Sequence, residues 1–315
     1  MSWFLPSLAA IPSPPRSGIE IGPIDLRMYG VLIALGAYLA LQMAIRRYER
    51  FGGDPETAEK AGLIALLGGF LGARIGYVIP RFLPSGAHGE AFIDRPQDIL
   101  AIWQGGLALF GGLIGGALAV ILYVRVKRAS VPMMADAMVP TVPLAQAIGR
   151  WGNYFNQELF GRPTELPWAL SVRDSVAERA GYPAGTTFHP TFLYESLWNL
   201  GLFGALLWIE RRGWFKRRGS LLFAYLIGYG VGRTWVEFLR IDTAARYPSA
   251  WGLTDWGISR NNWIAIAAVI VGVIGLLWWE RRGSPNDGET PEDPGMADHE
   301  GEALDPPSTS DDEEA

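Results

Sequence analysis

Long apolar runs separated by short polar and basic loops dominate the chain. Seven stretches, near 28–45, 61–80, 105–124, 133–149, 191–209, 220–238 and 261–279, are each long enough to cross roughly 30 Å of hydrocarbon as a helix. The pattern predicts an all-α membrane protein of about seven transmembrane helices. Residues 81–104, 150–190 and 239–260 fall between spans and would form a small head region on one side. The opening "MSWFLPSLAAIPSPPRSG" has no basic start and is broken by prolines, so it reads as an interfacial segment rather than a cleaved signal peptide.

Basic residues in the short loops orient this pattern. With the N-terminus outside, Arg46, Arg47, Arg50 and Lys60 fall in the first inner loop, and Arg125, Lys127 and Arg128 in the second. Arg211, Arg212, Lys216, Arg217 and Arg218 fall in the third, and Arg281 and Arg282 follow the last span. The opposite orientation would break the positive-inside rule at every turn. The expectation is therefore N-terminus out, C-terminus cytoplasmic, with the head segments extracytoplasmic. Trp103, Trp151, Trp168, Trp251, Trp256 and Trp263 then fall near outer boundaries, and Trp208, Trp214, Trp278 and Trp279 near inner ones, as amphipathic rings at headgroup level should.

Composition agrees with the pattern and qualifies the charge. The 315 residues are 49% hydrophobic, with 13 Trp and 39 Gly. The net charge of −5 hides an asymmetry: residues 284–315 hold twelve of the 32 acids and none of the 27 Lys and Arg, leaving 27 basic against 20 acidic residues in the body. A segment this acidic, rich in Pro and Gly, cannot bury enough surface to offset its ordering entropy, so 284–315 reads as a disordered cytoplasmic tail behind a membrane domain at 1–283. The absence of Cys excludes disulfides, thiolate metal sites and a cysteine nucleophile on this chain.

Charge within apolar stretches is costly unless it meets a partner or a ligand. Arg74, in "GGFLGARIGYVIP", lies in the outer half of the second span. In "GYGVGRTWVEFLR", Tyr229, Arg233, Glu237 and Arg240 follow at helical offsets of 0, 4, 8 and 11. At about 100° per residue they occupy an arc of about 80° and form one polar stripe. "GRWGNYFNQELFGRP", from Gly149 to Pro163, sets two Arg, two Asn and a Glu at the end of a hydrophobic run. Each feature also has a plainer reading: Arg233 and Glu237 as an i,i+4 ion pair, Tyr29 as a belt aromatic, "WQGGLALFGGLIGG" as close helix packing, and His189 as a helix cap. By the expected topology, however, Tyr29, Arg74, Arg150, Asn153, His189, Arg233, Glu237 and Arg240 all reach the outer leaflet or its surface. Guanidiniums at that depth suit the phosphate of an outer-leaflet phospholipid, which they can hold bidentately.

These residues carry a resemblance. "GRWGNYFNQELFGRP" resembles the signature of the bacterial prolipoprotein diacylglyceryl transferases, Gly-Arg-x-Gly-Asn-x-x-Asn-x-Glu followed by Gly-Arg. "IDLRMYG", "GARIGYV", "WQGGLALFGGLIGG", "HPTFLYE" and "GYGVGRTWVEFLR" follow in family order, so the resemblance covers about residues 20–280. It implies transfer of a diacylglyceryl group from phosphatidylglycerol to the lipobox cysteine thiol of a preprolipoprotein, in the bacterial plasma membrane, with release of glycerol phosphate. The residues it carries over are Tyr29, Arg150, Asn153, Asn156, Glu158, Gly161, Arg233, Glu237 and Arg240; Arg74 is an additional headgroup candidate from the residue pattern. Where some members have His in the glycine-rich motif of the third span, this chain has Phe110, which cannot move a proton.

The implied chemistry needs no cofactor, metal or nucleic acid. Arg150 and Arg233 would hold the lipid phosphate and stabilise the leaving group, and Glu237 or His189 would accept the thiol proton. Asn153 and Asn156 would bind glycerol hydroxyls or the peptide backbone. Two rivals use similar residues: a phospholipid flippase, and a CDP-alcohol phosphatidyltransferase. The second needs an Asp-rich metal motif, which the sequence lacks, and His88, His189 and His299 are scattered.

Overall fold

A computed structural model describes residues 10–22, 24–82, 96–101, 105–241 and 258–282. The acidic segment 284–315, most of 81–104 and 239–260, His88, His299, Trp103, Trp251 and Trp256 lie outside the described residues.

Among the described residues there are nine α-helices: α1 Met28–Arg50, α2 Pro55–Val78, α3 Leu109–Val126, α4 Val131–Met138, α5 Thr141–Asn156, α6 Asp174–Arg179, α7 Thr191–Arg211, α8 Ser220–Leu239 and α9 Arg260–Arg281. Side chains fix several starts. Asp54 accepts from the amides of Glu56 and Thr57 ahead of Pro55 in α2, and Ser259 accepts from the Asn262 amide in α9. By length and composition, α1, α2, α3, α7 and α9 can cross a membrane. The other two expected spans are helical as well, in altered form. The stretch near 133–149 is two helices bent at Val139–Pro140, where proline removes an amide donor, and Arg233 and Glu237 lower the hydropathy of α8.

Helix α2 lies along α3, α8 along α9, and α1 along α5, while α7 packs on both α5 and α8. The α2–α3 seam is made of glycine. A Cβ on Gly76 would stand 2.9 Å from the Gly111 Cα, and one on Gly115 would stand 2.5 Å from the Gly68 carbonyl oxygen, so only hydrogen fits. The glycine run of the third span is thus a packing surface.

Arg47, expected in a loop, lies inside α1 and is 3% exposed. Its guanidinium meets both carboxylate oxygens of Glu210 at 2.7 and 2.8 Å, and donates to the carbonyls of Asp136 and Ala137. The helix runs past residue 45 because these partners from α7 and α4 satisfy the buried charge.

A small head sits beside the bundle. β1 (Gly18–Ile21) and β2 (Ile24–Arg27) form an antiparallel hairpin leading into α1, and β3 (Leu170–Ser171) pairs with β4 (Thr187–Phe188). The N-terminal segment is stitched to this head: Ile11 exchanges backbone hydrogen bonds with Ala169 and Ser171, and Tyr154 donates to the Pro12 carbonyl. Phe160, Leu170, Val172, Val176, Ala177, Phe188 and Phe192 form its core.

Candidate active site

Arg150 lies in the last two turns of α5, and Tyr229 and Arg233 lie on α8, with Arg240 at its end. All four wall a cavity of about 290 Å³. Leu109 and Phe110 from the start of α3, Leu159, and Asn261, Ile264 and Ala265 from α9 complete the wall. The wall therefore combines three guanidiniums with apolar side chains, which suits an anionic head on a hydrocarbon body.

Carboxylates behind the wall hold the arginines. Arg233 Nη2 lies 2.7 Å from Glu237 Oε2, and Glu237 Oε1 accepts from Ser259 Oγ at 3.0 Å and Asn261 Nδ2 at 2.9 Å. Glu237 is 2% exposed and does not reach the cavity wall. The i,i+4 pair read from the sequence is present, but it is embedded in a larger network joining α8 to α9.

Glu195, one turn into α7, was not picked out from the sequence. Its Oε2 lies 2.6 Å from Arg150 Nη2 and 3.7 Å from Arg233 Nη1. The available signal was a lone acid just inside an apolar stretch, masked by its closeness to the expected span boundary.

The signature motif builds a turn. Asn153 and Asn156 both donate their side-chain amides to Glu158 Oε1, at 3.0 and 3.1 Å. Between and after them Gln157 and Leu159 adopt left-handed backbone, φ 52° and 60°, which is strained for residues with a Cβ. The side chain of Gln157 anchors the turn by donating to Ser13 Oγ and accepting from the Arg173 amide. The turn brings Leu159 to the cavity and lays Gly161 against Arg240 in a β-bridge. A Cβ at Gly161 would stand 2.7 Å from the His189 Cβ and 2.9 Å from the Leu239 carbonyl oxygen. Asn153, Asn156, Glu158 and Gly161 thus shape the cavity rim in this structure, and none of them lines the cavity.

Three further candidates sit apart from the wall. The Tyr29 ring packs over Gly152, on the turn of α5 that carries Arg150. Arg74 donates to the carbonyls of Asp98, Ile99, Gly105 and Gly106 at 2.6–2.9 Å, holding the approach to α3. His189 Nδ1 lies 3.2 Å from the Tyr194 hydroxyl, which accepts from Trp168 Nε1 at 2.9 Å. The phenol can donate to Nδ1 or accept from it, according to the tautomer of the ring. Burial lowers the His189 pKa below its ordinary value, so the neutral ring is favoured.

A profile of the prolipoprotein diacylglyceryl transferase family matches residues 16–278 of the chain. A phosphatidylglycerol–prolipoprotein diacylglyceryl transferase of Frankia alni is 42% identical over 296 residues, 94% of this chain and 72% of the relative. Proteins of the same name from Corynebacterium glutamicum and Synechococcus elongatus are 39% identical over 299 residues and 38% over 270. These alignments cover 91% and 84% of this chain, and 88% of each relative.

Proposed function

The chain belongs to the prolipoprotein diacylglyceryl transferases, and on that premise we propose that it transfers the diacylglyceryl group of phosphatidylglycerol to the lipobox cysteine thiol of preprolipoproteins. The observation that carries this reading is the cavity walled by Arg150, Arg233 and Arg240 together with Leu109, Phe110, Ile264 and Ala265. The arginines take the phosphate and the apolar side chains take the glyceride. The thiol sulfur attacks the glyceryl carbon; a carbon–sulfur bond forms as the carbon–oxygen bond breaks, glycerol phosphate leaves with the oxygen and its electron pair, and the thiol proton ends on that phosphate or in water. Arg150 and Arg233 are catalytic through the charge that grows on this phosphate, because donors aimed there before reaction need no reorganisation. The same cationic wall favours the thiolate and lowers the thiol pKa from its ordinary value near 8.5.

Glu237, with Oε1 accepting from Ser259 and Asn261 and Oε2 ion-paired to Arg233, acts by orienting Arg233. His189 has Nδ1 filled by Tyr194 and stands outside the cavity wall, which favours a structural role at the head. Asn153, Asn156, Glu158 and Gly161 hold the rim, Tyr29 supports the Arg150 turn, and Arg74 fixes the entry to α3. In this reading the α4–α5 pair and α8 complete a seven-span arrangement in the bacterial plasma membrane. The N-terminus and cavity face out and the tail faces the cytoplasm, as the loop charges require.

Purified protein in phosphatidylglycerol vesicles with a lipobox peptide tests the proposal. The peptide should gain the mass of one diacylglyceryl group on its cysteine, and a cysteine-to-serine peptide should gain none. Lipid movement between leaflets with no peptide modification would overturn the transferase reading and favour a flippase.

A further inference from the structure

We propose that Glu195 is a positioning residue that sets the spacing and aim of Arg150 and Arg233 toward the lipid phosphate; this rests on the transferase reading above. Glu195 sits on α7, the helix packed against both α5, which carries Arg150, and α8, which carries Arg233. One carboxylate oxygen serves both cations, at 2.6 and 3.7 Å.

Two cavities separate its role from that of the arginines. Arg150 and Arg233 line the 290 Å³ cavity and also a second void of about 20 Å³. Glu195 lines only the smaller void, together with Gln146, Asn199 and Tyr229. Because Glu195 does not line the larger cavity, it acts on a ligand there only through the arginines it contacts. The smaller void has room for about one water molecule and is lined by these polar groups together with Trp198, Gly232 and Val236. Two buried atoms there, Gln146 Oε1 and Arg233 Nη1, have no hydrogen-bond partner.

The energetics require such a group. Two guanidiniums facing one cavity repel each other, and in a partly desolvated site that repulsion is weakly screened. A carboxylate between them converts repulsion into two attractions and fixes both forks. The two contacts are unequal. At 2.6 Å Arg150 is clamped, whereas Arg233 Nη1, at 3.7 Å, lies beyond hydrogen-bond range and feels only the longer-range attraction of the same carboxylate. Without Glu195, Arg150 would lose its clamp and the two forks would part, so the phosphate would be held by one of them at a time. Asn or Gln at 195 could not substitute, because an amide cannot neutralise either cation.

The full chain in detergent carries the test, with Glu195→Gln and Glu195→Asp beside the unchanged protein. Two measurements are made: retention of phosphatidylglycerol against phosphatidylcholine, and steady-state transfer to a lipobox peptide with each substrate varied in turn. Glu195→Gln should raise KM for phosphatidylglycerol about tenfold or more, in line with loss of a charge-assisted contact, with KM for the peptide unchanged. Retention of phosphatidylglycerol should fall to that of phosphatidylcholine. Glu195→Asp, which keeps the charge on a shorter stem, should recover part of both and provides the reading if the Gln variant does not fold. A purely structural role would lower the amount of active enzyme and leave both KM values and lipid retention in place, which would overturn the inference while the transferase reading stands. Selective lipid retention that depends on Glu195, without transfer by the unchanged protein, would uphold the inference and overturn the reaction.

Discussion

Arg150 and Arg233 each place a planar guanidinium between a carboxylate and the cavity, 2.6 and 2.7 Å from Glu195 and Glu237. Lysine would keep the charge but cannot serve the carboxylate and a phosphate with fixed, coplanar donors. Arg150→Lys and Arg233→Lys should each lower transfer by roughly tenfold or more, the scale of one charge-assisted hydrogen bond, with normal insertion and thermal stability. Near-normal rates in both would remove the phosphate role. Glu237 and Phe110 make a second pair. Glu237→Gln leaves Arg233 without its charge partner and should lower the rate to a similar degree. If Glu237 orients Arg233, the pH profile of that variant keeps its shape; a displaced profile would instead mark Glu237 as the proton acceptor. Phe110 offers the cavity only an apolar face, so Phe110→Leu, a modest change of volume, should cost less than about fivefold.

The sequence disclosed the parts of the helices that depend on local period. The stripe of Tyr229, Arg233 and Arg240 reaches one cavity because four residues make about one turn, and the glycines of the third span pack as small residues should. Contacts between distant segments were hidden. Arg47 with Glu210 and Arg150 with Glu195 join residues 163 and 45 positions apart, and no periodicity points from one to the other. The residue types of the Asn153–Glu158 turn suit ligand binding and turn building alike, and the fold sets both amides on one carboxylate. The glycine seam gives a test at this scale. Gly115→Ala sets a methyl group against the Gly68 carbonyl, backbone that cannot rotate away, and α2 and α3 must separate. Overpacking of this kind costs about 1–3 kcal/mol, so the variant should unfold at lower temperature in detergent. Gly204→Ala on α7, where nothing lies within 4 Å, is the matched control and should leave stability unchanged. Equal stability of the two variants would contradict the close α2–α3 contact.

The whole molecule has to place its arginine-lined cavity on one side of the membrane, and charge is what decides which. Lys60, Lys127 and Lys216, with Arg125, Arg128, Arg211, Arg212, Arg217, Arg218, Arg281 and Arg282, lie toward one set of helix ends: the start of α2, the ends of α3, α7 and α9, and the α7–α8 turn. The head, with the turn after α5 and the start of α7, lies at the other set. Moving each basic residue near the surface toward the outer leaflet forfeits about 1 kcal/mol of attraction to anionic inner-leaflet lipids, and insertion itself retains Lys and Arg inside. Both effects act at every loop in the same sense, so the cavity should open outward. Reporter fusions should therefore be active in the cytoplasm after residue 215 and after 282, and active outside when placed in the 173–185 region. By the same charge rule the acidic segment 284–315 is expected across the membrane from the cavity, and its deletion should leave transfer within about twofold, since so polar a sequence has little apolar surface to add to a bundle. An outward-active reporter after residue 215, or a well-inserted but inactive protein lacking 284–315, would show that the cavity and the tail share a side, and the outer-leaflet site would have to be given up.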